Sequence, residues 1–180
     1  MPKQPPTSAQ TVQAPERLGF WPCLGLWLAR GFGLGLLPGA PGTWGAMLGL
    51  VLSVAWSGSP WWIQALGSLG LVVLGVPVCS LAQRQLKKPD PVEVVWDEMA
   101  TVPLVFVLCP VPESFSWAKA AMFWAVGLGL HRLLDIAKPW PVKVAERFGT
   151  GWGIMADDVV AALGAALGLW GLRAAESLLH

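Results

Sequence analysis

The 180-residue chain is 54% hydrophobic and only 13% charged, with a formal net charge of +1 and a mean hydropathy of +0.56. This is more apolar than soluble domains usually are, its length allows one domain or one compact bundle with a tail, and its charge gives no electrostatic case for a nucleic-acid partner. Twelve Trp and no Tyr suit a chain that touches bilayer interfaces.

Residues 1–17 hold four prolines and no apolar run, and they read as a disordered tail without the h-region of a signal peptide. The expected helical domain covers 18–180. A short helix is predicted over Trp21–Ala29, followed by a Gly- and Pro-rich loop that ends in PGTWG. That loop is not GxGxxG and follows no strand, so it does not indicate a dinucleotide site. Its glycines could bring backbone amides near Thr43 against a phosphate. Ala46–Trp56 reads as an apolar helix of about 17 Å, stopped by SGSP. Trp61–Leu86 follows, long enough to span a bilayer. The polar linker RQLKKPDPVEVVWDE, an apolar run to Leu108, the break CPVPES and a helix from about Phe115 to Asp135 come next. Pro139 and Pro141 are expected to end that helix. Gly149, Gly151 and Gly153 read as a permissive loop, before a last helix from near Asp158 to about Leu179. Cys23, Cys79 and Cys109 are widely spaced and form no CxxC, which argues against a disulfide framework or a thiolate metal site.

SGSP and CPVPES read as tight hairpins, so the segments outside them return to one side. Three polar blocks, Arg30–Trp44, Arg84–Glu98 and His131–Asp158, are thereby expected to meet at one end of an all-α bundle of five to seven helices. Only Lys119 and Arg173, of twelve Lys and Arg, lie away from that end or the tail. By the positive-inside rule that end faces the cytoplasm, with the bundle embedded in or associated with the membrane.

The chemistry-bearing candidates there are Asp97, Glu98, Asp135, Asp157 and Asp158, with Arg132 and Lys138 among them. Arg132, Asp135 and Lys138 recur at i, i+3, i+6 and share a helix face. Oxygen-only clusters suit Mg²⁺, and a basic pair beside them suits phosphate. Other phosphatase arrangements fit less well. Cys23 and Cys79 lack the spacing of Cys-x5-Arg, His131 is the one internal His, and no DxD is present. Metal-assisted hydrolysis is what remains. For Asp158 alone, a helix-capping Asp is the competing reading.

The stretches GFGLGLLPGAPGTWG, EVVWDEMA and HRLLDIAKPWPVKVAERFGTGWGIMADDVVA resemble bacterial phosphatidylglycerophosphatase A, over roughly Arg30–Ala162. The resemblance implies an all-helical, Mg²⁺-dependent hydrolase of the bacterial inner membrane. Its substrate would be the lipid phosphatidylglycerophosphate, and its product phosphatidylglycerol. It assigns catalysis to Asp97, Asp135, Lys138 and Asp158, and metal binding to Asp97, Glu98, Asp135, Asp157 and Asp158. Thr43, Arg132 and Lys138 are expected on the phosphate. The chain departs from the family pattern at His131, where Phe is usual, and at Thr101, where Gly is usual. It departs again at Glu146, in place of Asp, and at Thr150–Gly151, in place of Gly-Gly. Two other classes fit parts of the pattern: a small helical membrane transporter subunit, and a soluble relative acting on a water-soluble phosphate ester. The helix centres carry almost no charge and the acids collect at one end, which favours interfacial catalysis over transport.

Overall fold

The computed structural model describes residues 19–138 and 151–178. The tail expected over 1–17, Pro139, Pro141, Glu146 and Gly149 lie outside them. The described residues form six α-helices and one 3-10 turn, with no strand among them: α1 (Phe20–Ala29), the turn Leu34–Leu36, α2 (Pro41–Trp56), α3 (Trp61–Leu86), α4 (Trp96–Leu108), α5 (Trp117–Ala137) and α6 (Gly151–Leu178). The all-α expectation holds, and α3 has the bounds read from its sequence.

Two helices begin earlier than their sequences suggest. The expected start of α2 at Ala46 is corrected to Pro41, which occupies the first turn where its missing N–H costs nothing. At 16 residues α2 is about 24 Å long rather than 17 Å. The last helix begins at Gly151, not near Asp158, so Asp157 and Asp158 lie in its second turn and cap nothing. Gly151 and Gly153 are therefore helical and buried, not part of a loop. Glycine is a poor helix former in isolation, but packing decides both places. Gly151 donates its N–H to Ser80 Oγ at 3.1 Å, and a side chain there would run into the backbone of α3. A Cβ on Gly49 would come within 2.7 Å of the Met99 carbonyl, so α2 reaches α4 through its small face.

The short helix α4 is the centre of the bundle, packed by α2, α3, α5 and α6. Val95, Val102 and Val105 are fully buried, as are Ala100 and Thr101. The outer helices show the reverse pattern. Helices α3, α5 and α6 are each long and apolar enough to cross a membrane. They carry exposed apolar residues such as Leu69, Val73, Met122, Leu133 and Leu167. Most exposed Trp residues gather at the two ends, Trp27, Trp44 and Trp152 at one and Trp61, Trp62, Trp117 and Trp170 at the other, while Trp21 is exposed near the start of α1.

Candidate active site

Helices α2, α4 and α6 start at the same end of the bundle, where α3 and α5 finish. A cleft of about 960 Å³ opens there, lined by Asp97, Glu98, Arg132, Asp135, Lys138, Asp157 and Asp158. The three polar blocks read from the sequence thus converge. The first turn of α4 supplies Asp97 and Glu98, the last turns of α5 supply Arg132 and Asp135, and α6 supplies Asp157 and Asp158.

Asp97, Glu98 and Asp158 each offer one carboxylate oxygen, and these oxygens lie within 4.8 Å of one another. Asp97 and Asp158 are buried. Asp97 Oδ1, Glu98 Oε2 and Asp158 Oδ1 are buried with no hydrogen-bond partner. Burial, reinforced by the charges of Glu98 and Asp158, pushes the Asp97 carboxyl well above the usual carboxylate range. Burial also raises Glu98, opposed by its hydrogen bond with Asp97 and by the Arg132 guanidinium. Each of these carboxylates keeps one buried oxygen without a donor, a deficit that a cation would satisfy, and the trio could hold a metal ion. The oxygen-only donor set suits a hard cation such as Mg²⁺.

The remaining charged residues form the rim. Arg132 Nη1 donates to Asp135 Oδ2 at 2.6 Å and to Glu98 Oε1 at 3.3 Å, while its Nε has no partner. Lys138 Nζ donates to Asp157 Oδ2 at 3.0 Å. Asp157 Oδ1 accepts from the Asp158 backbone N–H at 3.1 Å, so both its oxygens are bonded. Lys138 caps α5 in the left-handed region, with φ 40°, an uncommon backbone for a non-glycine residue. Pro41 and Gly42 close another side of the cleft, and any side chain at Gly42 would collide with the Glu98 carboxylate and the Arg132 guanidinium. Gly42 therefore lets α2 sit against the charged pair. Thr43, on the exposed side of that turn, is outside the cleft lining. The opposite wall holds Gln83 and Asp90, which the sequence reading did not single out. Asp90 belongs to the Arg84–Glu98 polar block, the one signal that pointed towards that wall.

The fold and cleft define an all-helical protein, suited in length and hydropathy to a membrane, with a cation-ready acidic trio beside basic groups. The chain belongs to the phosphatidylglycerophosphatase A family, whose model matches residues 27–173, and is a phosphoric monoester hydrolase. It is similar to the phosphatidylglycerophosphatase A of Haemophilus influenzae, at 34% identity over 81% of this chain and 86% of that one. It is similar also to that of Escherichia coli, at 32% identity over 74% of each. A third relative, a putative phosphatidylinositol-3-phosphatase of Bacteroides thetaiotaomicron, is 35% identical over 81% of this chain and 89% of its own. No solved structure matches the chain.

Proposed function

We propose that the protein hydrolyses the terminal phosphate of phosphatidylglycerophosphate to phosphatidylglycerol, in a Mg²⁺-dependent reaction at the cytoplasmic face of the bacterial inner membrane. The observation that carries this reading is the carboxylate trio, each member with one buried oxygen lacking a donor, beside Arg132 and Lys138. Asp97, Glu98 and Asp158 would hold the cation, which when bound polarises the phosphoryl group and offsets its charge. Arg132, steadied by Asp135, keeps donors for the phosphate oxygens, and Lys138, steered by Asp157, adds a point charge. Water adds to phosphorus, the bond from phosphorus to the glycerol oxygen breaks, a proton from the water passes to that oxygen to give the alcohol, and inorganic phosphate leaves. The two relatives named phosphatidylglycerophosphatase A support this substrate.

The Trp residues support a membrane setting. Trp152 and Trp170 lie eighteen residues apart on α6, about 27 Å, close to the thickness of a hydrocarbon core. Asp158 lies six residues past Trp152, about 9 Å along the helix, so the carboxylates stay within two turns of that Trp.

The test is phosphate release by the purified full chain in mixed micelles, with Mg²⁺ or with a chelator. Release from phosphatidylglycerophosphate in Mg²⁺, and its loss in chelator, are expected. Equal rates in chelator would overturn the metal assignment. Faster release from phosphatidylinositol 3-phosphate would move the substrate to that of the Bacteroides relative's name.

A further inference from the structure

Beneath the acidic trio lies a polar contact that the proposed chemistry does not use. His131 is fully buried on α5, and its Nε2 is 3.2 Å from Thr101 Oγ1 on α4. The Thr101 hydroxyl spends its single hydrogen on the Asp97 carbonyl, at 2.8 Å. Thr101 can then only accept from the imidazole, so Nε2 carries the proton. His131 Nδ1 is left buried without a hydrogen-bond partner. For packing alone this is a poor choice, because an apolar ring would leave no buried nitrogen unsatisfied.

What the contact holds is the start of α4. That helix has no side-chain N-cap and contains Pro103, whose missing N–H deprives the Met99 carbonyl of its helical partner. Its first turns are thus weakly secured by its own backbone, yet they carry Asp97 and Glu98. Helix α5 grips them at two adjacent positions. Arg132 takes Glu98 on the cleft side, and His131 takes Thr101 on the buried side, one hydrogen bond from the Asp97 carbonyl. We infer that the His131–Thr101 pair is a buried brace that sets the position of Asp97 and Glu98 against Asp158, making His131 a positioning residue of the cation site. The inference rests on the cation-binding reading of the trio. Outer partners of metal ligands matter because small displacements of the ligands cost affinity.

Calorimetric titration of Mg²⁺ or Mn²⁺ into the detergent-solubilised full chain tests the brace without substrate. Removing the donor in His131→Leu, or the acceptor in Thr101→Val, is expected to weaken cation binding about tenfold. His131→Gln, whose amide nitrogen replaces Nε2, should recover most of the loss, as should Thr101→Ser. The double variant should be no worse than either single one, because both remove one interaction. Turnover at saturating Mg²⁺ should stay within about threefold of the parent, with the loss confined to the half-saturating concentration. Wild-type affinity in both His131→Leu and Thr101→Val, or equal losses in His131→Leu and His131→Gln, would overturn the brace while leaving the cation site standing. If His131→Leu fails to fold, Thr101→Val against Thr101→Ser makes the same comparison. Absence of cation binding by the parent protein would overturn both readings.

Discussion

A buried Asp97 that faces Glu98 and Asp158, with one oxygen lacking a donor, destabilises the fold unless a cation joins it. Its folded-state pKa is raised above the unfolded value, so the folded protein binds the extra proton between the two. Cation-free stability from this residue is therefore full below the ordinary carboxylate range and is lost as pH rises through the elevated value. Melting temperature measured in chelator should fall with rising pH across that window, and saturating Mg²⁺ should flatten the fall. Asp97→Asn should melt higher than the parent in chelator and respond less to pH, yet lose more than about a hundredfold in turnover, since each 1.36 kcal/mol of lost transition-state stabilisation is tenfold in rate. A mutant that melts lower in chelator and still turns over would place Asp97 among structural residues. Lys138→Ala addresses the other charge. It should weaken turnover and substrate binding with the fold intact, and activity within about threefold of the parent would reduce Lys138 to a partner for Asp157.

At the scale of elements, the meeting of the polar blocks at one cleft was legible because charge is rare in this chain and collects where helices begin and end. The bounds of α3 were legible for the same reason: SGSP and a polar linker frame an unbroken apolar run. The starts of α2 and α6 were not, because PGTWG and GTGWG carry the residues of loops. Their helicity comes from neighbours pressed against glycine, which no local pattern reveals. The brace was hidden in another way. His131 and Thr101 were two separate departures from the family pattern, thirty residues apart, and only the packing of α5 on α4 joins them. Gly42 makes the packing argument testable. Gly42→Ala should cut turnover at least tenfold by pushing Glu98 and Arg132 apart, whereas Gly129→Ala, which meets open space on α5, should leave turnover unchanged and add up to about 1 kcal/mol of stability. Equal turnover in the two variants would show that α2 can retreat from the charged pair.

For the whole molecule, the distribution of charge supports the proposed orientation. Arg30, Arg84, Lys87, Lys88, Arg132 and Lys138 lie at the cleft end, and Lys119 and Arg173 at the other. A bundle inserted by the positive-inside rule therefore presents the cleft to the cytoplasm. Exposed Trp at both ends suits two interfaces and favours neither side. A chelator that cannot cross the bilayer turns this into a measurement of sidedness. In inverted inner-membrane vesicles, whose cytoplasmic face is outside, external chelator should abolish phosphate release from the lipid, and added Mg²⁺ should restore it. In right-side-out vesicles the same chelator should leave turnover of internal substrate intact until detergent opens the membrane. Inhibition in right-side-out vesicles alone would reverse the orientation, and inhibition in neither would mean that the carboxylate trio does not depend on an exchangeable cation.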